Sequence, residues 1–285
     1  MTRIVIGVVN VLVLAACGDL GGGDPDAAPP VDVLRDAPAG CTPPEDLAAI
    51  RLTVSGSVRD LATGAPIVGA TVDVAKAWTP RGFPASDCPA LATLTTDAAG
   101  RFGPLEILAG PGGGIISSPH YLVFLVTAAG VASTSSDVRY HCSSACTLPD
   151  HPIAVPSEAL ATSWRTELAA GGMPDAATRG LVAFTFKERD GAPAAGVEVL
   201  GRAHLFPGAL ERGTQLRYVA EDGSLAPVAQ ATTLARGLAV IGLDPENHGI
   251  YVSGIRGDET WGATGSIVAP GWIFVEDRTV TVPPP

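Results

Sequence analysis

A chain of 285 residues is longer than one small sandwich requires and predicts two domains with extra segments. Thirty-four glycines, 25 prolines and only 5% aromatic residues favour many short elements and turns over long helices, an all-β composition. With 18 basic against 29 acidic side chains the net charge is −11, which offers no electrostatic footprint for a phosphate backbone and excludes nucleic acid as a partner.

Met1-Thr2-Arg3 precedes an apolar run, IVIGVVNVLVLAA, that ends in small residues. The run is too short for a comfortable transmembrane helix and suits an export signal. Leu14-Ala15-Ala16-Cys17 resembles the bacterial lipobox; the alternative is an ordinary signal peptide with an incidental cysteine. The resemblance implies that residues 1–16 are removed and that Cys17 is acylated, with palmitate-type chains, as the mature N-terminus. Each buried acyl CH₂ contributes about 0.8 kcal/mol, so several chains on one residue hold a protein to a leaflet. Gly18 follows the cysteine, which by resemblance to the common sorting rule points to the outer membrane, although Asp19 stands one position later. The expected location is therefore the bacterial cell envelope, with the domains in the periplasm or on the cell surface.

Residues 17–46 carry the lipid site and an acidic Pro/Gly/Asp tether. Asp19, Asp24, Asp26, Asp32, Asp36, Glu45 and Asp46 face a lone Arg35 there, so most of the charge imbalance sits in one segment. Such a composition buries too little to offset its ordering entropy and predicts disorder, with a reach of at most roughly 90 Å at about 3.1 Å per residue. The aspartates lack calcium-loop spacing, which disfavours a metal-binding tail.

The first folded domain is expected over 47–155. Leu52, Val54 and Val58 alternate with polar residues, the period-two pattern of a half-buried strand. Asp60 and Thr63-Gly64-Ala65-Pro66 supply turn chemistry, and Ile67, Val68, Ala70, Val72 and Val74 read as the return strand. Asp97-Ala98-Ala99-Gly100 connects two further strands, and Tyr121–Val126 is a continuous one. Gly56, Val58, Asp60, Thr63, Gly64, Pro66, Ile67, Gly69, Ala70, Val72 and Val74, followed by Thr95, Asp97, Gly100, Phe102 and Gly110, resemble the carboxypeptidase regulatory-like domain. That resemblance covers roughly residues 50–155 and implies a seven-stranded, transthyretin-like Greek-key sandwich. It implies little about function, because such modules are appended to many different proteins.

Residues 156–179 hold a linker helix: Ser157 caps it, and Leu160, Trp164 and Leu168 share one face that packs on a sandwich or wedges between two. Residues 180–285 then repeat the grammar of the first domain. Gly64–Val72 aligns without gaps on Gly191–Val199, Thr95–Gly100 finds an echo in Thr232–Gly237, and Tyr251-Val252-Ser253 takes the place of Tyr121-Leu122-Val123. An inserted hairpin over 215–228 accommodates the growing offset. Leu234 stands where the family prefers Asp. The expected architecture is two tandem Greek-key β-sandwiches, each burying its own apolar layer, joined by one short helix.

Apart from Cys17, the cysteines are Cys41, Cys88, Cys142 and Cys146, an even number in an exported chain, so two disulfides are expected. Three pairings are open. Cys142–Cys146 as a local clip and Cys41–Cys88 as a staple to the long loop are favoured, the second closing the larger ring. A zinc site would need a CxxC pair, and only His141 adjoins the cysteines.

No chemistry announces itself. His120, His141, His151, His204 and His248 show neither HxxE nor HExxH spacing, and there is no GxSxG elbow or Walker loop. No cofactor or catalytic residue is therefore expected. Arg256-Gly257-Asp258 matches a cell-adhesion tripeptide but reads as a turn. Three functions remain: a non-catalytic display, spacer or protein-interaction scaffold; a carbohydrate-binding module stacking sugars on Trp78, Phe83, Tyr218, Trp261 or Trp272; and an unrecognised enzyme. The first is the expected one, with an envelope protein or polysaccharide as the partner.

Overall fold

The computed structural model describes residues 50–76, 90–109, 120–140, 145–173, 176, 178–203, 216–242, 250–266 and 269–281. Among them, the first half forms β1 (Ile50–Asp60), β2 (Thr71–Lys76), β3 (Ala92–Thr95), β4 (Arg101–Ala109), β5 (His120–Thr127), β6 (Thr134–Tyr140), β7 (Cys146–Thr147) and β8 (His151–Val155). Helix α1 (Glu158–Ala170) follows. The second half forms β9 (Leu181–Lys187), β10 (Glu198–Ala203), β11 (Leu216–Tyr218), β12 (Leu238–Gly242), β13 (Ile250–Arg256), β14 (Glu259–Ser266) and β15 (Ile273–Thr281). The architecture is all-β with a single helix among the described residues.

Local chemistry explains the first turns. The Asp60 carboxylate accepts hydrogen bonds from the amides of Ala62 (3.0 Å) and Thr63 (2.7 Å) and from the Thr63 hydroxyl (2.8 Å). Asp97 does the same at the next turn, accepting from the amides of Ala99 and Arg101, both at 2.8 Å. Those two amides hold its carboxyl below the usual range. The return strand begins later than its β-branched residues suggest: β2 starts at Thr71, and Val68 lies on a turn, 60% exposed. Pro66 makes only an isolated bridge to Arg59, and Gly69 adopts φ +71° before the strand proper.

The two halves repeat each other in strand pairing. β1 runs antiparallel to β4 and parallel to β8; β9 runs antiparallel to β12 and parallel to β15. β5 lies between β2 and β6, as β13 lies between β10 and β14. The hydrogen bonds correspond as well. Val58 donates to Gly100 O (2.7 Å) and accepts from Ile67 N (3.0 Å); Phe186 donates to Gly237 O (2.8 Å) and accepts from Ala194 N (2.7 Å). One register differs from the sequence alignment: Leu122 stands opposite Lys76 and Ile250 opposite Ala203, so the β5 and β13 equivalence is shifted by an even number and every side chain keeps its face. The last expected strands, Gly271–Val275 and Val280–Val282, are one continuous β15.

The independence of the two apolar layers is corrected by the structure. β15 pairs with β9 from Ile273↔Leu181 to Thr279↔Lys187 and also, in parallel, with β6 at Ile273↔Thr134 and Phe274↔Ser135. One sheet therefore runs from β3 through β15 into the second half. The β9–β12–β15 layer is buried on both faces. Leu181, Ala183, Leu238, Val240, Ile273 and Val275 join the core of the first half, while Val182, Phe184, Phe186, Ala239, Ile241 and Phe274 build the second.

Helix α1 fills the angle between the halves. The Ser157 hydroxyl accepts from Leu160 N at 3.1 Å, capping it. Ala161, Trp164 and Leu168 are buried; Leu160 is only half-buried. The Trp164 indole donates to Gly223 O (2.8 Å) and Glu167 accepts from Leu225 N (3.0 Å), so the helix is bound to the hairpin that the second half inserts between β11 and β12. None of the helices among the described residues is long and apolar enough to cross a membrane.

Candidate functional site at the seam

Where the halves meet, a cavity of about 160 Å³ opens. Leu61, Ser136, Asp137, His151, Pro152 and Ala154 form one wall, and Ala183, Thr185, Leu238, Val275, Glu276 and Asp277 the other. Its position follows from the strands: Ser136 and Asp137 come from β6, His151 opens β8, and Glu276 and Asp277 lie just beyond the point where β15 leaves β6. The lining mixes apolar side chains, among them Leu61, Leu238 and Val275, with polar ones, among them Ser136, His151 and Asp277.

His151 brings an imidazole to this lining. Its ring stacks on Phe124, with centroids 4.9 Å apart, and its Nε2 lies 3.0 Å from the Ser136 hydroxyl. Burial lowers its pKa to about 4, against the raising influence of the Asp277 and Asp150 charges, so the imidazole is neutral at neutral pH. Across the seam Asp277 is paired with Lys187 and Glu276 with Arg278. A hydroxyl against a neutral imidazole is the spacing of a nucleophile and its base. The hydrogen bond described at His151 is the one it shares with Ser136. The pair reads as a clasp joining β6 of one sheet to β8 of the other. No group of three or more His, Cys, Asp or Glu among the described residues is arranged to hold a metal ion.

The residues singled out from sequence lie elsewhere. Tyr218 and Trp261 are core side chains and not surface platforms. Tyr218 is 2% exposed and its hydroxyl accepts from Val199 N (3.1 Å). Trp261 is 1% exposed, meets Phe186 edge-on at 6.1 Å and donates its indole N–H to Lys187 O (2.9 Å). Sparse aromatics are consumed by the core, where their area stabilises most. Trp272 is half-buried against the second core. Trp78, Phe83, Cys17, Cys41, Cys88 and Cys142 lie outside the described residues. Cys146 stands opposite Leu52 on β7, and the other cysteines of the expected disulfides lie outside the described residues.

The adhesion-like tripeptide is a turn with its arginine engaged. Arg256 grips both Glu188 oxygens (2.7 and 3.0 Å), bonds Glu259 at 2.7 Å and Ala195 O at 2.9 Å, and lies 5.3 Å above the Trp261 ring. These carboxylates raise its pKa further. Gly257, at φ +58°, makes the turn. Sequence reading missed Ser136, His151 and Asp277 because they are distant in the chain and ordinary in type. The one local signal was a histidine set between Asp150 and Pro152 in an apolar strand.

No family model matches the chain, and no curated protein does. Solved structures give faint likenesses. The shaft pilin SpaA of Lactobacillus rhamnosus GG is 11% identical, with 84% of this chain covering 100% of that one at a TM-score of 0.25. The Bacillus anthracis TIE protein is 9% identical over 81% of this chain and 34% of that one, TM-score 0.25. The 3-chlorocatechol 1,2-dioxygenase of Rhodococcus opacus is 19% identical over 35% and 48%, TM-score 0.26. The match thus spans about a third of the TIE protein and about half of the dioxygenase. At these scores the likenesses carry no argument.

Proposed function

We propose that the protein is a non-catalytic lipoprotein of the bacterial cell envelope, anchored through Cys17, in which two carboxypeptidase-regulatory-like sandwiches act as a stiff spacer or interaction scaffold. The observation that supports this reading is the double pairing of β15, to β9 within the second half and to β6 of the first. A strand shared in this way, with α1 tied to both sides, suits a unit that holds a partner at a fixed distance from a membrane. The acidic tether of 17–46 adds reach without adding another folded body. The Cys142–Cys146 clip and the Cys41–Cys88 staple belong to the same proposal and fit an oxidising compartment. Partners are then envelope proteins or polysaccharide, and the outer membrane is the favoured leaflet.

The test is made on the full chain in its own envelope. Mass spectrometry of the N-terminal peptide should find Cys17 acylated, and fractionation should place the protein with membranes. Cys17→Ser should move it to the soluble fraction with its fold intact by circular dichroism. An unacylated Cys17 in membrane-fractionated protein, or unchanged fractionation of Cys17→Ser, would sink the anchored reading.

A further inference from the structure

One ion pair differs from the others in kind. Those of Arg51, Arg165, Arg256 and Arg278 all join an arginine to a glutamate, whereas the pair between β9 and β15 joins Lys187 to Asp277. Lys187 is one of two lysines in a chain with sixteen arginines. A guanidinium stays protonated and does not add to a carboxyl group; an amine released from its proton does. Position favours the contact. Lys187 stands opposite Thr279 and Asp277 opposite Thr185, so both side chains lie on one face of adjacent parallel strands, at the end of the apolar stripe of Ala183 and Val275. Lys187 Nζ is in contact with Asp277 Oδ2, and each side chain is 29% exposed. In the first half, Arg59 and Pro152 hold the matching places on β1 and β8 and offer neither group. We propose that Lys187 and Asp277 condense into an intramolecular amide that fastens the first strand of the second half to its last.

The step balances without another reactant. Of the three ammonium protons on Nζ, one stays on the amide nitrogen and two leave with Oδ2 as water. The first passes within the contact, from Nζ to Oδ2, and leaves an amine against a carboxylic acid; a site withdrawn from bulk water favours that neutral pair over the ions. Nζ then adds to Cγ, and the Cγ–Oδ2 bond breaks as the second proton reaches the departing oxygen. His151 lines the wall opposite Asp277 in the same cavity and is the imidazole placed to carry that proton. The product closes residues 187–277 into a covalent ring, so that tension along the chain passes from β9 to β15 without loading the strands between. That consequence rests on the spacer reading; the bond does not, and an unacylated Cys17 leaves it standing.

The experiment uses the full chain, reduced, denatured and digested with trypsin. Mass spectrometry should find Gly180–Arg189, uncut at Lys187, joined to Gly257–Arg278 and lighter by one water than the two peptides together. Lys187→Arg, which keeps the ion pair, and Asp277→Ala should each abolish the branched peptide in chains still folded by circular dichroism. Boiled in detergent with reductant, the wild type should run ahead of both variants, because a closed ring is more compact than an open chain. Cleavage after Lys187, with both linear peptides at full mass, would mean an ordinary ion pair and overturn the proposal. So would a branched peptide that persists in Lys187→Arg. In folded His151→Phe the linear peptides should accumulate; complete joining there would overturn the relay through the imidazole.

Discussion

Two buried threonines allow the duplication and the seam to be tested together. Thr96 donates its hydroxyl to Ile67 O (2.7 Å) and accepts from Ala70 N (2.8 Å). Thr233 donates to Ala194 O (2.7 Å) and accepts from Val197 N (2.9 Å). They are 4% and 3% exposed. Valine matches threonine in shape, so Thr96→Val or Thr233→Val opens no cavity but strands one amide and one carbonyl in a dry site. At roughly 1–3 kcal/mol for each buried unsatisfied group, less some relaxation, each substitution should cost about 2–4 kcal/mol. That is a large share of the ordinary 5–15 kcal/mol of a folded domain. Equilibrium urea unfolding at pH 7.5, read by circular dichroism and by the fluorescence of Trp164 and Trp261, measures it. Because the β9–β12–β15 layer serves both cores, either substitution should lower one common midpoint, by about 1 M urea for a slope near 3 kcal/mol/M. Two separable transitions, with Thr96→Val leaving the Trp261 signal unmoved, would refute the shared layer. A cost under about 0.5 kcal/mol at Thr233 would refute the pinning role of its hydroxyl.

Further expectations follow from single contacts. Trp164→Ala removes the largest side chain of the helix and its bond to Gly223 O, and should cost about 3–5 kcal/mol by thermal or urea unfolding. Trp164→Phe should cost less, because most of the apolar area remains. Gly237→Ala should be severe, since φ is +60° and a Cβ would stand 2.5 Å from Phe186 O and 2.8 Å from Ala194 N. Gly64→Ala, at φ +71° in open space, should cost only about 1 kcal/mol, and similar losses at the two sites would contradict the close approach. Asp258→Ala, at an exposed turn position, should change stability by less than about 0.5 kcal/mol, whereas Arg256→Ala should cost more because it releases Glu188 and uncovers Trp261.

Local turn chemistry was the most legible level of this chain. Asp60, Asp97 and the capping Ser157 act as their residue types suggest, because each side-chain oxygen bonds amides within a few residues and needs no distant partner. The repeat was legible too, through Gly64–Val72 and Gly191–Val199. Side-chain exposure was less so. Tyr218 and Trp261 look like any other aromatics in sequence, and only the assembled core shows that their polar tips are satisfied inside. The seam was hardest to read. Its rim combines β6, β8 and β15, and residues brought together across more than a hundred positions leave no spacing to recognise.

The sharing of one layer nevertheless has a signature in composition. A strand of a sheet with one covered face meets a core on one side and water on the other, and β1 alternates accordingly from Arg51 to Gly56. β9 (LVAFTFK) and β12 (LAVIG) do not alternate; their apolar runs are continuous because both faces are covered. A second sandwich standing alone would leave Leu181, Ala183, Leu238 and Val240 in water, an apolar stripe along its central strands. The same pressure accounts for Leu234. Asp97 stabilises its turn through two side-chain bonds, but the corresponding backbone bond, Gly237 N to Leu234 O at 2.8 Å, forms without a carboxylate. Leu234 instead packs against the second core, and Arg236 bonds Glu221 O across the inserted hairpin. The turn forms without an aspartate because the backbone bond is present and the leucine makes apolar contact. The second half thus differs from the first at this turn and in β9 and β12, whose continuous apolar runs also meet the core of the first half.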